Sequence, residues 1–75
     1  MQNKGTISYM IVGIMRDESK QPHIHCENAI GSIKASLNAY KFDTEFKVLY
    51  LYEVRSWITI PTLLQTVRVT PNTKA

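Results

Sequence analysis

Hydrophobic residues are most concentrated in residues 46–54, which read FKVLYLYEV. β-Branched and aromatic side chains predominate there, and such side chains fit a pleated surface. Strict alternation places Phe46, Val48, Tyr50, Tyr52 and Val54 on one face and Lys47, Leu49, Leu51, Glu53 and Arg55 on the other. Because the middle of the stretch is apolar on both faces, the pattern predicts a central strand that is covered on both sides.

A second strand of the same kind is predicted at residues 6–16. One face carries Ile7, Tyr9, Ile11, Gly13 and Met15, and the other carries Ser8, Met10, Val12 and Ile14. A glycine inside a strand, here Gly13, indicates a bulge or the close approach of another backbone. Residues 17–22 are polar and end in proline, which predicts a turn. Residues 23–25 are then either a very short strand or the lead into a helix.

Helical periodicity occurs only in residues 27–41. The apolar stripe of this predicted helix consists of Ala29, Ile30, Ile33, Leu37 and Tyr40. Cys26 and Asn28 are the candidate N-caps, and asparagine is the better capping residue. Gly31 weakens the helix by about 1 kcal/mol relative to alanine.

The C-terminal third is predicted to form one or two further strands. Residues 55–56 are expected to make a tight hairpin turn, and residues 57–60 a strand that Pro61 ends or confines to a sheet edge. Residues 63–70 alternate in a way that favours a final strand with one solvated face. A helical turn at residues 62–64 is the alternative, because proline suits a first helical position.

Together these elements predict one small α+β domain spanning residues 1–75. The expected architecture is a mostly antiparallel sheet of three to five strands with one helix packed on one face, in the order β-α-β-β. The polar ends, about residues 1–5 and 71–75, are predicted to fray. Chains this short bury only about 60% of their unfolded surface, so the domain needs a well-packed core or self-association.

Composition narrows the setting in which the protein works. The chain is 44% hydrophobic and 20% charged, which is typical of a globular protein, and Cys26 is its only cysteine. Residues 7–15 are apolar, but polar residues interrupt them and no small-x-small cleavage site follows, which argues against an export signal. They are also too short to span a bilayer. The sequence therefore predicts a cytoplasmic protein with no membrane contact.

The cluster His23, His25 and Cys26 is the one group that resembles a reactive site. Both histidines would point the same way from a strand and could bind one metal ion, with Cys26 or Asp17 as a further ligand. The spacing is not that of a zinc finger, so the favoured alternative has Cys26 packed as a small hydrophobe and both histidines at a sheet end or in solvent. Activation of Cys26 by a histidine is disfavoured because nothing indicates an oxyanion hole. The sequence thus predicts no enzymatic activity, cofactor, bound metal or small-molecule substrate.

The charge pattern leaves nucleic-acid binding as an alternative function. The net charge is +3, and no two of the nine Lys and Arg residues are adjacent in the sequence. A phosphate-binding surface, in contrast, needs clustered cations. Tyr50, Tyr52 and Trp57 could stack on the bases of RNA or single-stranded DNA, as in sheet-based RNA readers. The glycines, paired aromatics and second helix of the RRM are absent. The candidate nucleic-acid-binding cations are Lys47, Arg55 and Arg68.

Protein recognition is the function that the hydrophobic pattern favours. One helix is too little to cover a sheet that is apolar on both faces, and a large uncovered apolar patch indicates an interface. The residues expected to need a cover are Met10, Val12, Ile14, Leu49 and Leu51. Free edges on the first and last strands offer a second route to association. The candidate partner-binding residues are Tyr50, Tyr52, Arg55 and Trp57.

These observations predict a non-catalytic module that binds a protein partner, a second copy of itself as a homodimer, or both. In size and outline the chain resembles the small proteins of phages and mobile elements that bind and inhibit a host protein. That resemblance is one of scale and not of motif. It implies an inhibitor or regulator that acts through an exposed sheet face or edge.

Overall fold

The computed structural model describes residues 5–71, and these residues form a four-stranded antiparallel sheet with one helix. The elements in chain order are β1 (Ile7–Met15), β2 (His23–Glu27), α1 (Ile30–Tyr40), β3 (Phe46–Arg55) and β4 (Thr62–Arg68). The strand order across the sheet is β2-β1-β3-β4. The predicted α+β class is confirmed. The predicted β-α-β-β order is not, because β2 is an additional strand before the helix.

The two strands predicted to be apolar on both faces, β1 and β3, lie side by side at the centre of the sheet. Their antiparallel register pairs Ile11 with Leu51 and Gly13 with Leu49, so these side chains share one face. The helix packs on that face. The buried cluster beneath it consists of Ile11, Ile33, Leu37, Phe46, Leu49, Leu51 and Val69.

The helix α1 is held by its apolar stripe rather than by a cap. Ile33 and Leu37 are buried one turn apart, and Tyr40 packs against the same core. Ala29 occupies the N-cap position and makes no side-chain cap bond. The helix is shorter at its start than predicted, since Glu27 pairs with Tyr9 in the sheet. Of the two alternatives for residues 23–25, the structure has the short strand, and pairing with β1 extends it to Glu27.

Gly13 allows the close approach of a side chain. The sequence analysis had instead predicted a bulge at Gly13 or the close approach of another backbone. A Cβ at this position would lie 2.5 Å from Cε1 of Phe46, so the aromatic ring occupies the space that a side chain would need. The register irregularity between β1 and β3 falls one residue later, between Ile14 and Met15. This irregularity puts Phe46 opposite Met15, at the end of the core.

The connection between β3 and β4 differs from the prediction. Residues 57–60 do not form a strand but belong to the loop, which begins with a turn closed by a 3.0 Å bond from the Ile58 amide to the Arg55 carbonyl. The predicted final strand is confirmed, with Thr62 as its first residue. Of the predicted frayed ends, only Gly5 and Pro71 lie within the described residues.

Polar contacts hold the end of the sheet at which β1 leads into the β1–β2 turn. In the β1–β2 turn, the hydroxyl and amide of Ser19 donate to the Asp17 carboxylate at 2.8 and 3.0 Å, and this lowers the pKa of Asp17. At the end of β1, Nη2 of Arg16 donates to the carbonyls of Phe46 and Val69, at 2.8 and 2.6 Å. Arg16 Nε donates to the Thr44 carbonyl at 3.0 Å. One guanidinium therefore ties β1 to the start of β3 and to the residue after β4.

The two glycines Gly13 and Gly31 predict opposite effects of the same substitution. A Cβ at Gly31 would meet nothing within 4 Å, so Gly31→Ala is expected to raise the free energy of unfolding by about 0.5–1 kcal/mol. Gly13→Ala is expected to lower it by about 1–3 kcal/mol, because the Phe46 ring must move. Urea denaturation of both variants measures these changes. Equal effects at the two positions would contradict this account of the packing.

The Arg16 clamp predicts that Arg16→Lys lowers the free energy of unfolding by about 1–2 kcal/mol. Lysine keeps the charge but has no planar fork with which to reach three carbonyls at once. The matched control is Arg55→Lys, which alters a partly exposed ion pair with Glu53 and is expected to cost about 0.5 kcal/mol or less. Denaturant titration compares the two variants, and losses of the same size would refute the clamp.

Candidate functional site

The face of the sheet opposite the helix carries apolar side chains from all four strands. Strand alternation and the observed register place one set of side chains from all four strands on this side. We call it the helix-free face, and its apolar members are Met10, Val12, Ile14, Ile24, Val48, Tyr50, Tyr52, Val54 and Leu63. The helix packs over the other side and does not cover this set, in which Val48 is buried, at 6% exposed, and the other members are half-buried or exposed.

Side chains on the helix-free face form rows that run across the sheet. One row consists of Cys26, Met10, Tyr52 and Leu63, and the next of Ile24, Val12, Tyr50 and Thr66. The middle positions of both rows are half-buried by their neighbours. The aliphatic residues at the margins are more open, with Ile24 53% and Leu63 50% exposed. The apolar surface thus continues from one sheet edge to the other.

Two tyrosines dominate the centre of this face. The rings of Tyr50 and Tyr52 lie 6.4 Å apart between centroids and are tilted by 40°. Within residues 5–71 neither hydroxyl makes a hydrogen bond. Each tyrosine therefore offers an apolar ring for packing and a polar tip for a partner, as is common at interfaces.

Charge is nearly absent from the helix-free face. Among the strand positions that the register pairs on this side, Arg68 is the one charged residue, and it lies opposite Val48 at one end. The strand carboxylates, Glu27 and Glu53, lie on the helix side. A partner surface therefore meets a neutral centre with a single cation at the margin.

The other two predicted partner-binding residues lie elsewhere. Arg55 ends β3 on the helix side, where its Nε binds Glu53 Oε1 at 2.8 Å. Its guanidinium also lies 5.8 Å from the ring centre of Trp57, which is in the β3–β4 loop and about half exposed. The structure therefore brings the four residues together as two separate pairs, Tyr50 with Tyr52 and Arg55 with Trp57.

The predicted nucleic-acid-binding cations do not form a common patch. Lys47 and Arg55 lie at opposite ends of β3, about 26 Å apart along an extended strand. Arg68 is on the helix-free face, whereas Arg55 points to the helix side and is paired with Glu53. Arg68 shares a face with the tyrosine pair, and Lys47 lies at the register irregularity between β1 and β3.

The cluster of histidines and cysteine is divided by the sheet. His23 and His25 lie on the helix side of β2, whereas Cys26 points to the helix-free face and is exposed. Tyr40 of the helix contacts both histidine rings edge-on, at 5.5 and 5.6 Å between centroids. In the described part of the chain, no three His, Cys, Asp or Glu side chains converge as metal ligands. The two histidines instead attach the edge strand to α1.

His25 also contacts Ser36 and Glu27, a combination that resembles a catalytic relay in composition but not in geometry. Nε2 of His25 lies 2.8 Å from Glu27 Oε2 and 3.2 Å from Ser36 Oγ. A relay needs the acid on Nδ1 and the hydroxyl on Nε2, so that one nitrogen accepts the proton while the other is held. Here both groups share the same nitrogen. The contact links β2 to the helix and does not activate the serine.

Sequence reasoning found part of the helix-free face and was wrong about another part. Met10, Val12 and Ile14 were expected to need a cover, and they lie on this face. Leu49 and Leu51 were expected there too, but both are fully buried under the helix. The exposed margins at β2 and β4 were missed. An alternating pattern indicates which residues of one strand share a side, but it does not relate the sides of different strands.

Comparisons with known proteins give no assignment. No protein-family model, curated protein or solved structure matches the chain. None of the described residues belongs to a helix long and apolar enough to cross a membrane. The function is therefore argued from the surface chemistry of the sheet.

Proposed function

We propose that this protein is a non-catalytic protein-binding module that buries its helix-free face against a partner protein. The observation that carries the proposal is the mismatch between a sheet that is apolar on both faces and the single helix that residues 5–71 provide to cover it. The helix covers one face, and an apolar surface spanning four strands remains open on the other. Large open apolar patches on folded domains mark interaction sites.

The size of the helix-free face fits a transient complex. Four strands about 4.8 Å apart, with about seven residues each at about 3.3 Å, cover about 450 Å². A complex over this face would bury about 900 Å² in total, which is below the range of permanent interfaces and typical of regulatory encounters. This supports a regulator or inhibitor that binds another protein reversibly.

The partner surface can be specified from the chemistry of the helix-free face. It is a shallow apolar patch that packs on Val12 and the two tyrosine rings, with hydrogen-bond acceptors opposite the hydroxyls of Tyr50 and Tyr52. A carboxylate opposite Arg68 completes the match. The exposed, unpaired thiol of Cys26 suits a reducing compartment, so we place this interaction in the cytoplasm.

Single-stranded nucleic-acid binding is the second candidate, and one observation favours it. Tyr50 and Tyr52 lie on an open sheet face together with Arg68, and bases can stack on such a pair. The other candidate cations, Lys47 and Arg55, lie at the two ends of β3. A strand of nucleic acid would therefore cross the face with one phosphate contact, which gives little affinity.

Substitutions at the margins of the helix-free face test the protein-binding proposal. Ile24→Lys/Leu63→Lys puts two charges into the expected interface at half-exposed positions, so the fold is expected to tolerate them. The matched control is Phe42→Lys/Ile60→Lys, which makes the same change at two sites that are 75% exposed and outside this face. Proteins retained on immobilised wild type are identified by mass spectrometry, purified and titrated against all three forms.

The expected result is a protein that binds wild type and control alike and binds the face variant at least about tenfold more weakly. Equal binding to all three forms would overturn the proposal. Circular dichroism confirms that each variant is folded.

Salt separates the two candidate functions. Affinity for a protein partner through an apolar face is expected to change little between about 50 and 200 mM salt, whereas affinity for nucleic acid falls steeply over that range. Titration of the wild type with the purified partner and with a labelled single-stranded oligonucleotide gives both salt profiles. Tight, salt-sensitive oligonucleotide binding that is lost in Tyr50→Ala would instead establish nucleic-acid recognition.

Self-association is measured directly by light scattering. The chain has a mass of 8.6 kDa, and a second copy on the helix-free face would double it. A doubled mass that returns to that of one chain in Ile24→Lys/Leu63→Lys would identify the partner as a second copy. A doubled mass that persists in this variant would contradict the use of this face.

A further inference from the structure

The helix leaves one strand of its own face uncovered. An α-helix is about 10 Å wide, whereas four strands about 4.8 Å apart make a sheet about 20 Å wide with its side chains. The helix α1 contacts β1, β2 and β3 but not β4. A strip above β4 is therefore open on the same side as the core.

This strip forms a groove between α1 and β4. It has a volume of about 360 Å³ and is lined by Lys34, Leu37, Asn38, Lys41, Gln65 and Val67. Leu37 is buried and Val67 is half-buried, and these two side chains give the groove an apolar floor. The remaining four residues give it a polar rim.

The rim of the groove is basic. Lys34 and Lys41 are both exposed and lie two helical turns apart, about 10.5 Å along the axis. Within residues 5–71 neither lysine has an ion-pair partner, and Lys41 Nζ lies 5.7 Å from the ring centre of Phe42. No carboxylate lines the groove. The two charges are thus available to an anionic partner.

We propose that this groove binds an acidic amphipathic helix of a partner protein, which packs beside α1 and covers β4. Carboxylates two turns apart on that helix face Lys34 and Lys41, and an apolar residue between them packs on Leu37 and Val67. The i, i+7 spacing of the two lysines matches the same spacing on a neighbouring helix. Helices in contact lie about 8–10 Å apart, which places the axis of the second helix over β4.

The groove is separate from the helix-free face, because it lies on the other side of the sheet. Its apolar floor favours a protein over a nucleic acid, since a phosphate backbone has nothing to pack there. Two cations are also too few for strong phosphate binding. The two surfaces therefore differ in position and in the charge of the partner that each one fits.

Two labelled 18-residue alanine-based peptides test the proposal. Both carry leucines at i+3 and i+4, and one has glutamate and the other lysine at i and i+7. Fluorescence anisotropy with the full chain is measured at about 150 mM salt, where exposed charges more than about 8 Å apart are screened. The glutamate peptide is expected to bind about tenfold more tightly than the lysine peptide.

Matched charge reversals then locate the site. Lys34→Glu is expected to weaken binding of the glutamate peptide about threefold to fivefold, whereas Lys20→Glu, in the β1–β2 turn and lining a different cavity, is expected to leave it unchanged. The double variant Lys34→Glu/Lys41→Glu is expected to prefer the lysine peptide. This exchange of preference distinguishes a specific contact from a general loss of folding.

Amide chemical shifts of the wild type identify the surface that the glutamate peptide occupies. Gln65 and Val67 are expected to shift, and Val12 on the helix-free face is not. The proposal is overturned by equal binding of the two peptides, by equal effects of Lys34→Glu and Lys20→Glu, or by shifts at Val12 instead. Tighter binding of a single-stranded oligonucleotide, weakened by the same Lys34→Glu change, would assign the lysines to phosphate and also overturn it.

Discussion

The pairing of β1 with β3 is the constraint on which the rest of the structure depends. Each of the two strands carries apolar side chains on both of its faces. Their pairing therefore places hydrophobic side chains on both sides of the sheet. The described part of the chain supplies one helix of eleven residues, which covers one side of the sheet and only part of its width. Every open surface described above follows from this shortage of cover.

The two open surfaces have different chemistry because they have different neighbours. The helix-free face consists of the outward side chains of four strands, and its one cation lies at the margin. The groove lies between α1 and β4. Lys34 and Lys41 of the helix surface form its rim, and Leu37 and Val67 form its apolar floor. Both surfaces border β4, which is also an edge of the sheet. The two proposed surfaces therefore meet at the last strand of the described chain, one on each side of the sheet.

Strand β3 illustrates how much of the candidate site could be predicted from the sequence. Alternation alone separated Tyr50 and Tyr52 from Leu49 and Leu51, and the structure keeps that separation. The alternation did not show which of the two pairs meets the helix, and the sequence analysis wrongly placed the leucines on the open face. In the sequence, Lys34 lies within the predicted helix and outside its apolar stripe. Its relation to β4 depends on where the helix crosses the sheet, and local periodicity contains no such information.

The sequence by itself determined the α+β class, the two central strands, the helix and the excess of apolar surface over cover. These follow from side-chain periodicity within short segments, which is a local property of the chain. The tertiary structure decided the pairing of residues 23–27 with β1, the loop at residues 57–60 and the placement of α1 over three strands. Those features depend on which distant residues pair and in which register. A shift of one residue exchanges the two faces of a strand, so only the assembled sheet determines which side chains remain open to a partner.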